Sequence, residues 1–115
     1  MSAAVALDEL AGHIERLGPL AFLVTTDGSS PHVVSVLVDL DGAVCTLSAG
    51  TTSRANMGAT GRATLLWATA DDYSLIVDGD TETDTDTVRL RPTRAVLHRS
   101  ATASPELPSC VRIEA

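Results

Sequence analysis

The chain has 115 residues, a net charge of −7 and 44% hydrophobic residues, enough for one core spanning 1–115 and too few for two ordinary domains. That hydrophobic share excludes a disordered chain, and an acid excess in which Arg is the only basic residue type argues against a nucleic-acid partner. No apolar run approaches the roughly 18 residues of a membrane span, and residues 1–10 lack the basic start of a secretory signal, so neither a membrane nor secretion is expected and the expected location is cytoplasmic.

Residues 5–17 read as a helix, with Leu7, Leu10, Ala11, Ile14 and Leu17 at helical spacing, ended by Gly18-Pro19. The period then changes to that of strands. Residues 20–26 form the first, Asp27 to Pro31 a turn, and the β-branched stretch 32–39 (HVVSVLVD) the second. After a turn at Leu40-Asp41-Gly42 comes a third strand at 43–48, which predicts a three-strand meander.

Thr51, Thr52 and Ser53 offer side chains that cap a helix start, and 54–60 make a short helix closed by Gly61. A strand follows at 62–68 (RATLLWA), then a turn at Ala70-Asp71-Asp72. Two long strands, 73–82 and 88–99, flank a hairpin tip at 84–86, with Pro92 marking an edge or a bulge in the last. The tail 104–115 holds Pro105, Pro108 and a short apolar piece at 111–113. The expected fold is mainly β with short helices. It is a six-stranded split β-barrel with an N-terminal helix and a short helix between strands three and four, closed so that no edge is exposed.

The segment Gly50-Thr-Thr-Ser-Arg54 carries the most chemistry. Free N–H groups and a partial positive charge at a helix start suit a phosphate, and Arg54 stands behind three hydroxyls. Ordinary capping accounts for the same hydroxyls. The acidic run 78–86 fails the calcium-loop pattern, which needs Gly at its sixth position and Glu at its twelfth, and its acid–Thr alternation reads as a solvated hairpin face. His13, His32 and His98 are too scattered for a metal site, and no nucleophile elbow supports a hydrolase. Cys45 and Cys110 lack ligand spacing and read as free thiols. No general acid or base stands out.

From Phe22 to about Arg99 the chain resembles the flavin-binding split-barrel family, which includes pyridoxamine 5′-phosphate oxidase and the deazaflavin-dependent reductases. The resemblance rests on the order and spacing of AFLVTTDGSSPHVVSV, DGAVCTLSAG, TTSRANMGATG, RATLLW, YSLIVDGDTE and VRLRPTRAVLHR. It implies a homodimer with FMN, or alternatively a deazaflavin, at the interface. It places phosphate contacts near Val34 on the second strand and at Thr51, Thr52, Ser53 and Arg54 at the helix start. The backbone along residues 33–36, with Ser35 in it, and the side of Trp67 would neighbour the ring. The oxidase has basic residues at both phosphate-binding places; here Val34, Thr52 and Ser53 stand there, and Arg54 supplies the charge. The implied activity is an oxidoreductase acting on a small organic molecule, or else a flavin- or ligand-binding module without turnover.

Overall fold

The computed structural model describes residues 2–69 and 73–99. The turn expected at 70–72, the tail 104–115 and Cys110 lie outside the described residues. Among the described residues no helix is long and apolar enough to cross a membrane.

The chain opens with a short strand β1 (Ser2–Ala4), then a 3-10 turn at Leu7–Glu9 and helix α1 (Leu10–Leu17). The helix expected from residue 5 thus starts late. Val5 donates instead to the carbonyl of Ala95 at 2.9 Å, which extends the strand pairing past β1. Leu10 and Ile14 point into the core. Gly18, at φ 91°, ends the helix while its N–H still bonds to the Ile14 carbonyl at 2.9 Å, a conformation that glycine adopts without strain.

Strands β2 (Leu20–Thr26) and β3 (Pro31–Leu37) pair as a hairpin. The second strand stops at Leu37, short of the expected residue 39: the buried Val38 still donates to the Pro19 carbonyl at 2.7 Å, the next rung of the β2–β3 ladder, but Pro19 has no N–H to return the bond. A separate strand β4 (Asp39–Asp41) then pairs with β5 (Val44–Ser48). Helix α2 (Thr51–Thr60), β6 (Arg62–Trp67), β7 (Tyr73–Asp84) and β8 (Thr87–Arg99) complete the described chain. Among the described residues eight strands correct the expected six: β1 and β4 are the additions, and α1 follows a strand rather than preceding the first one.

The strand order is β3-β2-β6-β7-β8-β5-β4, with β1 against β8, and every pairing is antiparallel. The expected meander does not form. β5 pairs with β4 and β8, and the sheet path ends at β3 on one side and β4 on the other. The sheet is therefore a curled half-barrel with free edges at β3, β4 and β1 rather than a closed one. The bulge expected at Pro92 is present: Asp78 pairs with Arg94 and Gly79 with Pro92, leaving Thr93 as the extra residue.

Alternation places Leu23, Leu65, Leu75, Val77, Val88 and Leu90 on the concave face, all fully buried. Each such side chain contributes about 1.5–3 kcal/mol through removal from water. Trp67 joins them at 2% exposure, its indole N–H donating to the Gly18 carbonyl at 3.0 Å. Asn56 of α2 is buried too and donates to the Thr25 hydroxyl at 3.1 Å, fixing the helix on β2.

Candidate functional site

A cleft of about 500 Å³ lies between β3 and the end of β5, where β5 runs on past its pairing with β4. Ser35, Val36 and Leu37 form one wall, and Thr46, Leu47 and Ser48 the other, with Asp39 and Thr87 at the margins. Its charged side chain is Asp39, and its hydroxyls come from Ser35, Thr46, Ser48 and Thr87. From Ser48 the chain passes through Ala49 and Gly50 directly into α2.

The start of α2 is not capped as the sequence suggests. Gly50 is the N-cap, extended at φ −76° and ψ 179°, and no side chain bonds to the helix start. Thr51 and Thr52 are exposed, so their hydroxyls remain on the surface, while Ser53 is buried at 1% exposure. No acidic residue stands in the first turn to neutralise the positive end of the helix dipole. Gly61 closes the other end at φ 71°, as expected from the sequence.

A second element meets this junction. Ala49 donates to the Asp86 carbonyl at 3.0 Å, and Arg54 Nη1 donates to the Thr85 carbonyl at 2.6 Å. The β7–β8 hairpin tip is thereby docked on the strand-to-helix turn. Thr85 holds φ 53° there, an uncommon conformation for a residue with a side chain. Arg54 Nε is buried and has no protein partner.

The sequence-derived residues separate into two groups. Ser35 lines the cleft, and Thr51, Thr52 and Arg54 belong to the turn at which β5 leaves it. Val34 instead packs against the core from the opposite face of β3, and Ser53 is buried. Trp67 is enclosed in the core, bonded to Gly18, and presents no exposed ring face to a ligand. Asp39 and Thr87 line the cleft without having been singled out. Their placement depends on strand pairings that link distant segments, and no local motif marks it.

The convex face of β2 and β3 beside the cleft is apolar. Leu20 opposes Leu37, Phe22 opposes Ser35 and Val24 opposes Val33 in the register. Leu20, Phe22, Val33 and Leu37 are all exposed, between 41% and 68%. A row of adjacent exposed hydrophobic side chains on one sheet is uncommon on a surface that faces only water.

No family model matches the sequence, and no curated protein matches it. Solved structures do match. A "putative pyridoxamine 5′-phosphate oxidase" from Listeria innocua aligns with a TM-score of 0.63 at 13% identity, covering 78% of this chain and 96% of that one. An FAD-binding protein from Mycobacterium smegmatis aligns with a TM-score of 0.61 at 19% identity, covering 84% and 96%. The chain therefore has the fold of the flavin-binding split barrels, as the resemblance in its sequence implies.

Proposed function

We propose that this chain is an FMN-binding oxidoreductase of the pyridoxamine 5′-phosphate oxidase-like type, acting as a cytoplasmic homodimer on a small organic molecule. The observation that carries the reading is the uncapped start of α2 at the end of an open cleft. Its amides and the exposed Thr51 and Thr52 hydroxyls are donors that no side-chain cap occupies. This donor set suits a phosphate, which helix starts bind through N–H groups and the dipole. Arg54, in the same turn, adds positive charge. Asp39 at the cleft margin repels an anion and favours placing the phosphate at the helix end instead.

Val36, Leu37 and Leu47 give the cleft an apolar lining for a planar ring, with hydroxyls at Ser35, Thr46 and Ser48 to hydrogen-bond its polar edge. A bound flavin supplies two-electron transfer to or from the substrate; the chain orients it and excludes water. Leu20, Phe22, Val33 and Leu37 give a second copy an apolar face to cover, which closes the cleft margin at Leu37.

An absorption spectrum of freshly purified protein and an FMN titration followed by fluorescence quenching test the reading. Saturable quenching with about one FMN per chain supports it; absence of quenching overturns it. Colourless protein that takes up a deazaflavin instead moves the reading to the deazaflavin-dependent reductases. Flavin binding with no turnover under any electron donor leaves a binding module. Light scattering at micromolar concentration should give roughly twice 11.9 kDa, and Leu37→Glu should return the monomer, since burying an unpaired carboxylate at a dimer contact is costly. A monomeric parent protein would remove the interface from the proposal.

A further inference from the structure

A larger hollow, about 680 Å³, lies at the other end of β2 and β3, away from the cleft and from the start of α2. Val24 and Pro31 give it an apolar side, the β6–β7 backbone at Ala63 and Gly79 forms its floor, and two guanidinium groups, Arg62 and Arg94, reach it. Its volume falls in the range of small-molecule sites. The register explains how it is assembled: Thr64, Asp78 and Arg94 form one rung across β6, β7 and β8, and Arg62 with Asp80 forms the neighbouring rung on the same face.

The hydrogen bonds decide which chemistry the hollow can recognise. Thr64 donates its hydroxyl proton to Asp78 Oδ1 at 2.6 Å, Thr93 to the Asp78 carbonyl at 3.3 Å, and Thr26 to the Ser30 carbonyl at 3.1 Å. The single hydroxyl proton of Thr60 is within reach of two carbonyls, Asn56 at 3.1 Å and Arg62 at 3.2 Å. These four threonines thus spend their protons within the protein and keep only lone pairs for a ligand, while Thr25, also in the lining, accepts from Asn56. The guanidinium groups differ. Arg94 stands 3.8 Å from Asp78 Oδ2 and Arg62 4.0 Å from Asp80 Oδ1, both beyond hydrogen-bond distance. Their acidic neighbours balance the charge while leaving the N–H donors unused.

We infer that this hollow is a binding site for a small monocarboxylate with an apolar body. The carboxylate accepts from the Arg62 and Arg94 donors, and the body lies against Val24 and Pro31. Asp78 and Asp80 set the limit on charge: a dianion such as a phosphate monoester would face two carboxylates at close range, whereas a single negative charge replaces a long ion pair with a hydrogen-bonded one.

Benzoate serves as the probe, titrated into the intact protein and followed by backbone amide and methyl NMR. Saturable shifts at Val24, Ala63 and Thr64 are expected, with benzyl alcohol, which lacks the charge, binding more weakly. Arg62→Gln should weaken benzoate about three- to fivefold, the size of an exposed charge pair. The melting temperature should be unchanged, because the Arg62 side chain is 82% exposed. Absence of saturable shifts, equal binding of benzyl alcohol, or unchanged affinity in Arg62→Gln would each overturn the assignment. None of these results bears on FMN, whose proposed residues lie elsewhere.

Discussion

Arg54 reaches from the first turn of α2 to the carbonyl of Thr85, 31 residues later, in a hydrogen bond of 2.6 Å. The residue that supplies positive charge at the helix start is therefore also the clamp on the β7–β8 tip. A charge-assisted bond of this kind contributes about 1.5–3 kcal/mol. Arg54→Ala should then lower the melting temperature by several degrees and weaken FMN about tenfold. Thr52→Ala separates the two effects. Thr52 makes no capping bond and is exposed, so its loss should change stability by less than about 0.5 kcal/mol while still weakening FMN. Thermal melts and fluorescence titration of both variants check this; a Thr52→Ala protein that melts early yet binds normally would return that hydroxyl to a structural role.

Gly79 should tolerate no side chain. A Cβ there would lie 2.4 Å from Leu90 Cδ2 and 2.7 Å from the Arg91 carbonyl. The leucine can turn aside, but the backbone oxygen belongs to the bulged strand and cannot. Gly79→Ala is expected to destabilise the fold by about 2–3 kcal/mol, read from the urea midpoint at unchanged slope. A cost under about 0.5 kcal/mol would mean that the bulge can relax.

The buried Asn56–Thr25 pair gives a double-mutant test. Thr25→Val removes the acceptor and leaves the Asn56 amide buried without its partner, at a cost of about 1–3 kcal/mol. Asn56→Leu together with Thr25→Val should recover much of that loss, because replacing both partners avoids the orphaned donor. Urea melts of the two single variants and the pair measure the coupling.

Cys45 is fully enclosed, and burial pushes its thiol from the ordinary value of 9.0 up to about 11. Below pH 9 the thiol is protonated in the folded and unfolded chains alike. Between 9 and 11 the unfolded chain releases the proton and the folded chain retains it, so stability falls as pH rises through that window. Urea melts should show the stability difference between the parent and Cys45→Ala shrinking from about pH 8 to about pH 10.5. A constant difference would place the thiol in a wetter environment.

Local chemistry was readable from the sequence where it acts over a few residues. Gly18 and Gly61 end their helices at positive φ, and Pro92 marks its bulge. What depends on distant partners was not. HVVSVLVD reads as one strand because its β-branched pattern is unbroken; its end is set from the partner strand, where Pro19 accepts from Val38 but has no N–H to return the bond. The same reason hid β1, a Ser-Ala-Ala stretch with little strand preference of its own that forms on β8. At the candidate site the sequence named the turn at Thr51–Arg54. It treated Trp67 as a possible wall, however, when the alternation of β6 sends that ring inward. The Arg54–Thr85 contact has no local signature.

The pairing of β1 with β8 sets Ser2 beside His98, positions 96 apart in the chain. By contrast, β7 and β8 are joined by a two-residue tip and pair along almost their whole length. Closing a long loop must be paid in chain entropy before its contacts form, whereas the hairpin closes almost at once. The order of assembly follows from that difference: the β7–β8 ribbon gains its amide protection early, and residues 2–4 join last. Pulsed hydrogen exchange during refolding should show the amides of Val77 and Val88 protected well before that of Val5, whose partner Ala95 waits on a strand already in place.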